Sequence, residues 1–179
     1  MRNAKRLLTS VGVGTAAFIM SGMPPQEAIA QEPQTTKTHF IDTSGESTGT
    51  ATLRDAPEGV LIWVEVSGLP VGEWLGFHIH EFGECDHTDD FESAGGHYDP
   101  TDRAHGYFAE DGPHAGDMPN QYVGEDGVLR AHVFNSFVRI REGEADIVGR
   151  SLVIHTHSDD YVSQPTGEAG DRLACAVVE

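Results

Sequence analysis

The chain has 179 residues, room for one domain rather than two. It carries 29 Asp+Glu against 11 Lys+Arg, a formal net charge of −18 with histidine neutral. So acidic a surface repels nucleic acid and anionic membrane, which argues against both as partners and is consistent with plain solubility.

Residues 1–30 differ in character from the rest. Arg2, Lys5 and Arg6 make a basic start, an apolar stretch runs from Val11 to Met20, and Ala28-Ile29-Ala30 forms a small-x-small signal. This order predicts a secretory signal peptide cut after Ala30, with 31–179 left as one domain. The apolar run is too short to serve as a membrane anchor. The leader holds three basic residues and one acidic, so the remainder would carry 8 basic against 28 acidic residues, a net −20. Both cysteines, Cys85 and Cys175, lie in that remainder. In an exported chain two cysteines favour one disulfide, the alternative being a cysteine metal site with further ligands of its own.

β-Branched and aromatic runs then predict strands at Thr38–Thr43, Thr48–Arg54 and Val60–Val66, with turns at Asp55–Gly59 and Ser67–Pro70. Gly76-Phe77-His78-Ile79-His80 also reads as strand. Its His-x-His spacing puts both imidazoles on one face, an arrangement suited to copper or zinc. Glu84 to about Val123 is long, rich in Gly, Pro, Asp and His, and without apolar period, so it reads as a loop. Ordering such a loop costs roughly 1–2 kcal/mol per residue, which metal ligands and a disulfide could offset. Further strands are expected at Val128–Phe134, Ile147–Thr156 and Leu173–Val178, with a second loop from His157 to Asp171. Short strands without intervening helices indicate an all-β sandwich or barrel.

Nine of the ten histidines fall between His78 and His157. The first loop contributes His97, His105 and His114, followed by Asp117; three histidines and one carboxylate make a closed, structural zinc set. Histidine at the end of Leu152-Val153-Ile154-His155 is by itself more often an ordinary edge residue than a ligand. Taken with the other groups, the count fits two metals.

Gly76-Phe77-His78-Ile79-His80-Glu81, Gly95-Gly96-His97-Tyr98-Asp99-Pro100, Gly116-Asp117, Gly149-Arg150-Ser151-Leu152-Val153-Ile154-His155 and Gly170-Asp171-Arg172-Leu173-Ala174-Cys175 together resemble the signatures of copper/zinc superoxide dismutases, in particular the bacterial exported branch. The resemblance covers roughly Thr38 to Glu179. It implies an eight-stranded Greek-key β-barrel or immunoglobulin-like sandwich with two long loops over the metal site. It further implies that His78, His80, His97 and His155 bind a copper ion, and that His97, His105, His114 and Asp117 bind a zinc ion. Asp159 would link a copper histidine to a zinc histidine, and Cys85 and Cys175 would pair. Arg172 would attract and orient the anion, and His97 would carry a proton. The implied activity is disproportionation of superoxide to oxygen and hydrogen peroxide in the periplasm, by a monomer or homodimer with no membrane anchor in the mature form. A non-catalytic metal-binding protein on the same fold is the competing reading; Arg172 and the full copper set favour the enzyme.

Two departures from the family stand out. Leu75 replaces a histidine common just before the Gly-Phe-His run, which removes a supporting hydrogen bond. The His157–Asp171 loop contains no Lys or Arg, where the family often places steering charges. A slower and less salt-dependent enzyme is therefore expected. His39, His87, His132 and His157 receive no role.

Overall fold

The structure is a computed structural model, and it describes residues 33–179. The expected signal peptide, 1–30, lies outside the described residues. Eight strands follow in order: β1 (Thr35–Asp42), β2 (Ser47–Ala56), β3 (Gly59–Ser67), β4 (Trp74–His80), β5 (Asp117–Tyr122), β6 (Val128–Asn135), β7 (Ser151–His155) and β8 (Arg172–Val177). Every pairing is antiparallel, in the order β5-β4-β7-β8-β1-β2-β3-β6. A bridge between Val123 and Leu129 brings the ends of β5 and β6 together, so the sheet is a nearly closed barrel.

The connections from β3 to β4 and from β6 to β7 each pass over the neighbouring pair, which is Greek-key wiring. Period-two alternation sends Phe40, Leu53, Ile62, Phe77, Leu129 and Ile154 into one buried core. At roughly 1.5–3 kcal/mol for each large side chain removed from water, this core is the main favourable term of the fold.

Expectation and structure part at three places. Asp117–Tyr122 is a strand, although it lies inside the segment expected to be loop. It pairs with β4 from Trp74↔Tyr122 to His78↔Asp117. Its sequence, Asp-Met-Pro-Asn-Gln-Tyr, has no β-branched residue, so its extended form is imposed by its partner. The strand expected over Ile147–Thr156 is shorter, because Gly149 adopts a left-handed turn (φ 78°) just before β7. The first long loop also contains two single-turn 3-10 helices, His87–Asp89 and Glu92–Ala94.

A second, smaller cluster of Phe91, Ala94, Val153 and Cys175 lies outside the barrel and joins the first loop to the outer face of β7 and β8. The Cys85–Cys175 disulfide, with Cα atoms 5.7 Å apart across 90 residues, fastens the same contact.

Candidate metal centre

On β4 the alternation divides two kinds of chemistry. Leu75, Phe77 and Ile79 enter the core, and His78 and His80 project from the opposite, loop-covered face, 0% and 1% exposed. On β7, Leu152 and Ile154 also belong to the core. A register shift between Ile154 and His155 then places His155 opposite Arg172 of β8. His97 arrives from the loop. It forms a bridge with His80, fixed by Glu81 N–H donating to Gly96 O at 2.9 Å and Tyr98 N–H to Ile79 O at 2.8 Å. Gly116 closes the same corner, its N–H donating to Tyr98 O while its own carbonyl accepts from Ile79 N–H. A Cβ there would stand 2.3 Å from Ile79 O, so no other residue fits.

Four ring nitrogens, one each from His78, His80, His97 and His155, lie within 4.8 Å of one another. Their ring protons are already committed elsewhere. His80 Nδ1–H donates to Gly95 O at 2.9 Å, His155 Nδ1–H to Gly170 O at 3.2 Å, and His78 Nε2–H to Asp159 Oδ2 at 2.9 Å. The Nε2 lone pairs of His80 and His155 therefore face each other across 3.2 Å. Two neutral imidazoles repel in that pose unless a cation sits between them. Tetrahedral ligands at about 2.0–2.1 Å from a metal would be roughly 3.4 Å apart, close to this spacing. His78 Nδ1 and His97 Nε2 are buried and, among the described residues, without a hydrogen-bond partner. Burial, reinforced by neighbouring rings, holds His80 and His155 well below the usual histidine range and lowers His97 to about 3. These rings are neutral at pH 7 and ready to ligate.

The second group comprises His97, His105, His114 and Asp117, again within 4.8 Å. Asp117 Oδ1 lies 2.9 Å from His97 Nδ1, 3.0 Å from His105 Nδ1 and 3.5 Å from His114 Nδ1. Its other oxygen accepts from Gly106 N–H at 2.8 Å and His114 N–H at 3.0 Å. Burial alone would raise the Asp117 carboxyl; hydrogen bonds from the His105 and His97 rings and from the Gly106 and His114 backbone N–H groups, with the His114 ring close by, overcome it and hold the group far below the usual carboxylate range. His105 is burdened by burial too, yet its hydrogen bonds to Asp117 and Asp159 carry it up to about 9. A site that draws this much positive charge toward one carboxylate is suited to a divalent cation, and three imidazoles with one carboxylate are donors of the kind that zinc accepts. The residues present fit two metal ions, and His97 is the one side chain in both groups.

Asp159 ties the two groups together. Oδ2 accepts from His78 and Oδ1 from His105 Nε2–H at 3.0 Å, which leaves Nδ1 of each ring facing its metal group. Gly167, in the left-handed region at φ 67°, allows this approach; a Cβ there would stand 1.9 Å from Asp159 Oδ1 and 2.5 Å from His105 Nε2. Two supports went unread in the sequence. Asn120 clamps Asp159, donating from Nδ2 to Asp159 O and accepting at Oδ1 from Asp159 N–H, both at 2.8 Å. Gln164 clamps His105 in the same two-way fashion. No spacing announces either amide; only its backbone partner reveals it.

Arg172 begins β8 beside His155, its guanidinium largely buried. Nη2 donates to Gly95 O at 2.8 Å and Nη1 to Phe91 O. Gly95 O thus serves Arg172 and His80 together. Phe91 holds left-handed backbone (φ 62°), a conformation costing roughly 1–2 kcal/mol for a bulky residue, which burial of its ring offsets. Leu75, in place of the expected histidine, is wholly buried among apolar side chains. His39, His87, His132 and His157 lie outside both metal-competent groups found among the described residues.

Fold and site together define a two-metal histidine protein on an antiparallel Greek-key barrel. A family model described as copper/zinc superoxide dismutase matches residues 47–178, and the chain belongs to that family. It is 46% identical over 158 residues to "Superoxide dismutase [Cu-Zn] 1" of Aquifex aeolicus, covering 85% of this chain and 91% of that one. Among solved structures, it is similar to a SOD-like protein from Bacillus subtilis, with TM-score 0.77, 32% identity, and coverage of 80% of this chain and 98% of that one. It is also similar to the Cu/Zn superoxide dismutase from Brucella abortus, with TM-score 0.69, 30% identity, and coverage of 82% and 100%.

Proposed function

We propose that this protein disproportionates superoxide: two superoxide anions and two protons become dioxygen and hydrogen peroxide. His78, His80, His97 and His155 would hold copper, because an all-imidazole set suits it. His97, His105, His114 and Asp117 would hold zinc, because that set is closed and includes a carboxylate. Copper, when bound, supplies the one-electron couple that zinc lacks. The observation that carries the reading is the placement of one ring, His97, between two metal-competent groups, with the Arg172 guanidinium close by.

The side chains divide the remaining work. Arg172 attracts the anion and orients it with the N–H groups that its two carbonyl partners leave free. His97 Nε2 faces the copper group and is the atom placed to hold a proton and deliver it to the reduced substrate. Asp159, Gly95 O and Gly170 O fix the tautomers, so that no ring need turn during a cycle.

The segment 1–30 would be removed on export, leaving 31–179 as one periplasmic domain without a membrane anchor, as monomer or homodimer. The Cys85–Cys175 disulfide supports that address, since such bonds persist in oxidising compartments. Metal analysis and superoxide decay on wild type and His155→Ala test the reading. The variant should keep zinc and lose both copper and activity. A wild type fully loaded with both metals and inactive would leave a metal-binding protein instead.

A further inference from the structure

The turn that holds Arg172 also sets a carboxylate against it. Phe91 O, just before the 3-10 turn Glu92–Ala94, and Gly95 O, just after it, accept from the two terminal nitrogens of the guanidinium. Glu92, the first residue of that turn, places Oε2 3.7 Å from Arg172 Nη2. This is too long for a hydrogen bond but well within ion-pair range. The partnership is lopsided. The Arg172 side chain is 13% exposed and pinned by two carbonyls, whereas that of Glu92 is 75% exposed. No hydrogen bond holds the Glu92 carboxylate among the described residues, so it is free to swing on a fixed backbone. A guanidinium has five N–H donors, and two are spoken for; the other three are what an incoming anion meets. Glu92 Oε2 lies against Nη2, one of the nitrogens that carry those free donors. The second loop, His157 to Asp171, contributes no Lys or Arg to offset it.

We propose that Glu92 is a competing carboxylate, which occupies the anion-binding face of Arg172 and must be displaced by any small monovalent anion that binds there. The inference rests on the dismutase reading, in which superoxide is that anion. It sets the working affinity of the site below what the metal groups and Arg172 would give alone. The turn is held to Arg172 by its own two carbonyls and the Glu92 side chain is exposed, so Glu92 can be neutralised without unfolding the turn.

The experiment is an azide titration of the copper- and zinc-loaded chain, followed by its visible absorption, on wild type, Glu92→Gln, Glu92→Asp and Arg172→Gln. At low ionic strength, Glu92→Gln should bind azide roughly three- to five-fold more tightly than wild type, with Glu92→Asp closer to wild type. The gap should narrow steadily as salt is raised toward about 1 M, where the screening length of about 3 Å falls below this spacing. A merely structural role for Glu92 would produce no such salt dependence. Equal azide affinity in wild type and Glu92→Gln at low salt, with Arg172→Gln weakened several-fold, overturns the role of Glu92 and leaves the dismutase reading standing. A wild type that takes up no copper, or takes it up and leaves superoxide decay uncatalysed, overturns the dismutase reading and this inference with it.

Discussion

Replacing Asp159 with asparagine should loosen both metal sites through a single side chain. The carboxylate accepts from His78 Nε2–H at 2.9 Å and from His105 Nε2–H at 3.0 Å, and it is 3% exposed. An amide of the same shape can accept from one ring, but its NH2 must face the other ring's N–H, donor against donor. One ring then loses its partner or exchanges tautomer, which puts a proton on the Nδ1 that should ligate. Loss of such a support costs about 10–100-fold in metal affinity. At 1.4 kcal/mol per tenfold, that is roughly 1.4–2.8 kcal/mol for the site that loses the contest. Asp159→Ala removes both acceptors and should weaken both sites. Competition against chelators of graded strength, with copper and zinc counted separately, measures each affinity. If Asp159→Asn held both metals as tightly as wild type, the claim that this carboxylate orients the two rings would be refuted.

Other consequences are as direct. Replacing Cys85 and Cys175 with serine should destabilise the chain by at most about 4–5 kcal/mol, the chain-entropy value for so long a loop, and should impair the hold on Arg172 and His80; denaturant unfolding measures the first and anion affinity the second. Arg172→Gln should slow turnover with metal content unchanged, and wild-type turnover should fall only gently with added salt. A steep fall would contradict the weak steering inferred from the acidic surface, an effect for which this family is a standard illustration. The metal-free protein should be most stable near pH 6.5. Below that, His97, lowered to about 3 when folded, refuses a proton that the unfolded chain accepts, so stability falls as pH drops from 6.5 toward 3. Above it, the contribution of His105, raised to about 9, is lost as pH climbs from 6.5 through 9. Thermal unfolding across that range, with chelator present, should trace the maximum; a flat profile would count against the buried-histidine account.

How much of this was legible in the sequence depends on what kind of group carries the information. Strands such as Gly59–Ser67 announce themselves by β-branched residues, because their outline comes from side chains that suit a pleated surface. Strand β5 does not, since its extended form comes from pairing with β4 rather than from its own residues. Histidines and Asp117 can be read because few other side chains do their chemistry and their spacings match the family's signatures. The carbonyls that set the tautomers, Gly95 O, Gly170 O and Phe91 O, could not be read, because every residue has one and only the folded loop selects which is used. Glu92 was invisible for a related reason. It is one of 29 acidic residues, and its position against Arg172 follows from a single 3-10 turn.

The central claim is that these histidines, loaded with one copper and one zinc, turn over superoxide. Its most direct test is to titrate copper into the zinc-loaded chain and follow superoxide decay at each step. The account predicts a catalytic rate that rises in proportion to bound copper and levels off at one equivalent per chain. A rate that stays at the uncatalysed value while one copper is bound per chain would contradict it.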